Sequence, residues 1–265
     1  MKAFTSIIAL TLAALVSAAP IGNSNETNST NTTTTSSSGS SNNTSTTVPT
    51  YDHCAQAGQF ALTFDDGPFQ YSWDLAKYLH SKGIKATFFT NGDNWVQDFS
   101  TATSNTSDGI KSYIDVLKYY HELGHEIGSH TYQHKVLKGL TTTEVEYQMN
   151  QQSDIIYEAI GQRPRLMRPP EGELDNAASI VLNNLGYSSI LWDIDTKDYE
   201  LKGLAYEQGL VRSIVDTDTN GHISLQHDVH ESSAIELTPW MVEYITSKNY
   251  TFVTVSECLG ISAYQ

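Results

Sequence analysis

Between Tyr51 and Val255, short apolar runs rich in β-branched and aromatic residues alternate with longer helix-patterned stretches. That alternation leaves few folds open. The runs at 60–66, 85–91, 125–130, 165–169, 188–193, 222–227 and 251–255 read as buried strands. The intervening stretches read as helices near 72–82, up to Leu123, over Thr141–Ile160 and Ala177–Leu185, near 204–216, and over Pro239–Lys248. Gly83, Gly124 and Gly186 stand where three of these helices should stop. Pro239 opens the last one. Thr141 with Glu144 three residues on forms a capping box. Strands alternating with helices imply a parallel sheet with helices packed outside. About 215 residues in roughly seven βα units fit a closed or nearly closed α/β barrel, with an open doubly wound sheet as the alternative. The polar stretch 92–109 reads as a long surface loop.

The amino-terminal end of the chain points to export. Lys2, the apolar run Phe4–Leu15 and the small residues Val16-Ser17-Ala18 make a secretory signal, with the cut expected after Ala18. The run is too short to span a bilayer, and no second candidate follows it. Residues 19–50 are dominated by Ser, Thr and Asn, with sequons at Asn25, Asn28, Asn31, Asn42 and Asn43. That composition buries nothing, so a disordered, glycosylated spacer is expected. Residues 51–265 are then expected to form the compact domain. Two further sequons, Asn105 and Asn249, fall in expected loops. A secreted monomer, extracellular or in the cell wall, is the expected form. In an oxidising compartment, Cys54 and Cys258, the chain's only cysteines, should pair. A net charge of −15 and a pI near 4.8 argue against a nucleic-acid partner, which needs a basic surface.

The chemistry-bearing residues gather at expected strand ends. Thr63-Phe64-Asp65-Asp66-Gly67-Pro68 ends the first run with two carboxylates and a turn. Buried there, each carboxylate must be paired, hydrogen-bonded or bound to a metal. His130-Thr-Tyr-Gln-His134 ends another run, its two imidazoles on one face if the segment turns helical. Two histidines with one carboxylate make a three-ligand site with open positions, which suits catalytic zinc. The carboxylate left over, Asp65, is then a natural general base. Arg168 follows apolar Leu166-Met167 and could hold Asp65 by a charge-assisted pair. His227 ends the run 222–227. An aspartate from the stretch Trp192–Tyr199, either Asp195 or Asp198, could raise its pKa and make it a general acid.

In their order along the chain, these stretches resemble the five motifs of the NodB-type polysaccharide deacetylases (carbohydrate esterase family 4), most closely the secreted fungal chitin deacetylases. Thr63–Pro68 matches the first, Ser129–His134 the second, Arg168-Pro169-Pro170 the third, Asp195–Tyr199 the fourth and Leu225-Gln226-His227 the fifth. The resemblance spans Phe60 to Val255 and implies a deformed (β/α) barrel of about seven parallel strands. It implies metal-dependent removal of acetyl from N-acetylglucosamine units, with Zn²⁺, or Co²⁺ or another divalent ion, as cofactor. By motif position, Asp65 would be the base, and Asp66, His130 and His134 the ligands. Arg168 would position Asp65, and Asp198 would tune His227 as the acid. Glu171, Tyr199 and Leu225 would meet the substrate, with the Glu171 N–H serving the oxyanion. The placement of Cys54 and Cys258 is also similar to fungal members. Glu171 and Tyr199 depart from the family pattern, which has an aromatic residue and a tryptophan at those places. The expected substrate is chitin or chito-oligosaccharide. Acetyl-xylan is the nearest alternative within the same chemistry. A non-catalytic wall-binding protein, stacking sugars on Tyr71, Trp73, Trp95, Tyr132 and Tyr199, is the alternative outside it.

Overall fold

The computed structural model describes residues 46–265. The expected leader and most of the expected spacer, with its five sequons, lie outside them. The compact part begins earlier than residue 51. Val48 is buried and its N–H donates to the Ser179 carbonyl at 3.1 Å. β1 (Thr50–Tyr51) follows at once and pairs with the sheet.

Three elements lead to the first site segment: β2 (Gln59–Ala61), β3 (Thr63–Asp65) and α1 (Ser72–Ser81). Next come β4 (Thr87–Thr90), β5 (Thr103–Thr106), β6 (Gly109–Ser112), α2 (Tyr113–Glu122), β7 (Glu126–Ser129) and α3 (Thr142–Ile160). The second half holds β8 (Leu166–Met167), α4 (Asn176–Asn184), β9 (Ser188–Ile190), β10 (Ile194–Asp195), α5 (Leu204–Val215) and β11 (His222–His227). α6 (Thr238–Ser247), β12 (Thr251–Val253) and α7 (Val255–Leu259) complete the chain. Thr141 caps α3 with Glu144 as expected.

The main sheet runs β1-β9-β8-β7-β4-β3-β11-β2-β12, with β10 added on β11, and its pairs are parallel. Its hydrogen-bonded order does not close on itself among the described residues. The sheet nevertheless curls. Ile190 of β9, Leu166 of β8, Phe89 of β4, Ala61 of β2 and Ile223 of β11 meet in one buried cluster, although their strands span most of the ladder. The other face packs on the helices. Phe88, next to Phe89, points outward and stacks on Tyr120 of α2 at 4.0 Å. This period of two is what a strand covered on both faces requires. Cys54 and Cys258 are disulfide-bonded and belong to the inner cluster.

Four expectations need correction. The run 60–66 is two strands with Leu62 between them, because the flanking neighbour changes from β12 beside β2 to β4 beside β3. Register with β11 is unbroken: Phe60 faces His222 and Asp65 faces His227. The stretch 92–109 is not loop alone: it holds β5 and the start of β6, which form an antiparallel hairpin running on to Ser112. Its polar strands lacked the apolar alternation that marks one. Asn105 therefore lies on a strand, exposed, while Asn249 is in an exposed turn. The last strand stops at Val253, where Thr254 caps α7. Among the described residues, no helix is long and apolar enough to cross a membrane.

Candidate active site

Strand pairing brings the candidate residues to one end of the sheet. Asp65 closes β3, His130 follows β7, Arg168 follows β8 and His227 closes β11. In the sheet order these strands are neighbours, interrupted only by β4. The carboxyl ends of parallel strands are where such sheets present side chains to a ligand.

Asp66 turns the chain after Asp65, and a carboxylate oxygen of each lies 3.6 Å from His130 Nε2. The Asp66 backbone is left-handed (φ 75°), a conformation Asp adopts at lower cost than most residues. Asp65 is buried and turns toward Arg168, whose Nη1 donates to Asp65 Oδ1 at 2.8 Å and to Thr63 Oγ1 at 2.7 Å. Arg168 is fully buried. Its Nε and Nη2 donate to the carbonyls of Ile190 and Leu191 at 3.2 Å each, and its plane lies over the Phe89 ring at 4.4 Å. Burial lifts the Asp65 carboxyl above its ordinary value, with the Arg168 charge opposing.

Asp66 faces the histidines. Its Oδ1 lies 3.6 Å from His130 Nε2 and 3.4 Å from His134 Nε2. The segment 130–134 is an irregular turn rather than a helix. Left-handed Thr131 (φ 65°) and His134 (φ 49°) bring the imidazole centres to 4.9 Å. His130 Nδ1 is 2.7 Å from the Arg168 carbonyl and must donate to it, so Nε2 carries the free lone pair. Burial pushes His130 down to about 3, keeping the ring neutral. One ligand atom from each of Asp66, His130 and His134 falls within 4.8 Å of the others. Asp66 Oδ1 is buried and accepts no hydrogen bond. An orphaned carboxylate oxygen facing two imidazole nitrogens is a donor set that a divalent cation satisfies.

His227 meets Asp198 twice: the His227 N–H donates to Asp198 Oδ2 at 2.7 Å, and Nδ1 lies 2.8 Å from Oδ1. Burial opposes the charged imidazole, but the Asp198 hydrogen bond and charge, with Asp65 and Asp66, hold it up to about 9. Of the two candidate aspartates, Asp198 is the one in contact with His227. Asp195 instead accepts from the Lys197 N–H and the Tyr199 hydroxyl.

Asp65, Asp66, His130, His134 and His227 line a cleft of about 480 Å³, together with Trp95, Pro169, Glu171, Trp192, Tyr199, Leu225 and His230. Glu171 is exposed and left-handed (φ 58°) in a single turn, Pro170–Gly172. Tyr199 stands edge-on to His227 at 5.5 Å, and Leu225 is buried beneath the cleft. Of the aromatic residues named as stacking surface, only Trp95 and Tyr199 line it. Trp73 is buried against Tyr119, ring centres 3.8 Å apart.

Three residues escaped the reading of the sequence. Trp192 lines the cleft and lies 5.4 Å from the Arg168 guanidinium, and an aromatic residue inside an apolar run carries no sign of this. His230 lines it too, and its spacing from His227 was the available sign. Asp228 is fully buried beside the cleft. It accepts from Ser72 Oγ at 2.5 Å and Tyr120 OH at 3.0 Å, and burial raises it to about 7. Its carboxylate presses on Gly67, where an added Cβ would come within 2.3 Å of it.

Residues 52–190 match the family profile described as polysaccharide deacetylase. A chitin deacetylase of Colletotrichum lindemuthianum is 36% identical over 212 residues, 78% of this chain and 82% of that protein. A chitin deacetylase of a Pestalotiopsis species is 37% identical over 78% of this chain and 65% of that one. The solved structure of the Colletotrichum lindemuthianum enzyme superposes with a TM-score of 0.74 at 33% identity, covering 83% of this chain and 96% of that one. The curled parallel sheet and the site at its carboxyl ends thus define a metal-site hydrolase scaffold. The chain belongs to the polysaccharide deacetylase family.

Proposed function

We propose that this chain is a secreted chitin deacetylase, hydrolysing the acetamide of N-acetylglucosamine units in chitin or chito-oligosaccharides to free amine and acetate. One observation carries the reading: a candidate base, a cation donor set and a raised-pKa histidine converge in one cleft. Asp66, His130 and His134 would hold the ion. One carboxylate with two imidazoles suits zinc, with cobalt or another divalent ion as substitutes. Bound there, the ion supplies Lewis acidity that activates water near neutral pH.

The chain's own residues do the rest. Asp65, held by Arg168, takes the proton of the attacking water. Its raised pKa suits a base, since proton affinity rises with pKa. The Glu171 N–H, from a residue lining the cleft, would donate to the oxygen that gains charge as the carbonyl carbon becomes tetrahedral. His227, protonated and held by Asp198, donates to the leaving nitrogen, so the C–N bond breaks to a neutral amine. Tyr199 and Leu225 form the wall against which the sugar rests.

The test is acetate release from N-acetylglucosamine oligomers of graded length and from acetylated xylan. Wild type should release acetate from the oligomers, and Asp65→Asn should retain the fold and lose turnover. Release from xylan alone would replace the substrate. Binding to chitin with no release from either would favour the non-catalytic reading.

A further inference from the structure

His230 is a polar side chain of the cleft to which the proposed reaction gives no task. Its N–H donates to the His227 carbonyl at 3.3 Å, a turn that sends Asp228 inward and returns His230 to the cleft wall. Its ring centre is 5.8 Å from that of His227, with the planes at 60°. Its neighbours on that wall are committed. His227 is held by Asp198, the Tyr199 hydroxyl donates to Asp195, and Leu225 has no polar group. Among the described residues, the His230 imidazole has no hydrogen-bond or ion-pair partner. Its half-buried position pushes its pKa below the ordinary imidazole value, so the ring is neutral at pH 7. A neutral imidazole offers one donor and one acceptor, the pair that a hydroxyl group matches.

We propose that His230 is a substrate-contacting residue that hydrogen-bonds a hydroxyl of the bound saccharide beside His227. The inference rests on the deacetylase reading. Since His227 must reach the leaving nitrogen, the sugar that bears it lies against His227, and its hydroxyls come within reach of the next ring along the wall. A contact made equally in ground and transition states moves KM rather than kcat.

The experiment measures kcat and KM for acetate release from the N-acetylglucosamine tetramer, with metal content and a pH profile for each variant. His230→Ala should raise KM about fivefold to tenfold, the range of one net hydrogen bond, with kcat little changed. His230→Gln, which keeps a donor and an acceptor, should recover most of the loss. Metal content and the alkaline limb should stay as in wild type. A fall in kcat at constant KM, a shifted alkaline limb, lost metal or unchanged kinetics would each overturn the proposal. Absence of release by wild type would overturn the deacetylase reading and this contact with it. Wild-type release with an unmoved KM in His230→Ala would overturn the contact alone.

Discussion

His227 stands directly opposite Asp65 in the register of β11 on β3. The proposed acid and base are thus last residues of adjacent parallel strands, and the ladder itself fixes their spacing. Each is then aimed by a second charged group: Arg168 for Asp65, Asp198 for His227.

The Asp198 contact sets the alkaline limit of activity. The active form of His227 carries the proton, so activity falls as pH rises through its pKa, held at about 9. Asp198→Asn removes the charge that raises this value and leaves a weaker acceptor, with burial lowering it and Asp65 and Asp66 still raising it. The alkaline limb of kcat should therefore move down from about 9. A limb that stays near pH 9 in this variant would assign it to another group.

Arg168 should not tolerate lysine. Its guanidinium serves Thr63, Asp65, Ile190 and Leu191 at once, and one ammonium cannot reach that fan of acceptors. Breaking a buried charge pair costs about 3–5 kcal/mol. Arg168→Lys should lower kcat by about 10²-fold through misplacement of the base and depress the melting temperature, read by kinetics and calorimetry on one preparation.

Gly67→Ala should damage the cation site through packing. The added Cβ would fall 2.3 Å from the Asp228 carboxylate, which Ser72 and Tyr120 hold in place. Overpacking of this kind costs about 1–3 kcal/mol. The turn carrying Asp66 should shift, so a titration of the apoprotein with zinc should show weaker binding. Gly67→Ala/Asp228→Ala should recover part of that affinity.

The disulfide ties the segment after β1 to α7 across 204 positions. Loop-entropy reasoning gives about 5 kcal/mol for a closure of that length, an upper value if the reduced chain keeps structure. Cys54→Ser/Cys258→Ser should lower the denaturant midpoint without changing KM, because the bond lies in the inner cluster and not among the residues lining the cleft.

Much of this was legible in the sequence because strand ends advertise themselves. Asp65, Arg168 and His227 each end or follow an apolar run, so a periodicity reading places them together without knowing the sheet order. The capping box at Thr141 located α3 for a similar local reason. What stayed hidden depended on non-local facts. The β5–β6 hairpin has no apolar face to show a period. Whether Asp195 or Asp198 holds His227 turns on the backbone after β10, where left-handed Lys197 (φ 54°) redirects the chain. Asp228 reads as a surface carboxylate until folding buries it against Gly67 and Tyr120.

The most direct test of the central claim is acetate release from the N-acetylglucosamine tetramer by wild type, before chelation, after chelation, and after zinc is restored. The account predicts release that chelation abolishes and zinc recovers, with His130→Ala failing to recover under the same zinc. Release that survives complete removal of metal would contradict it.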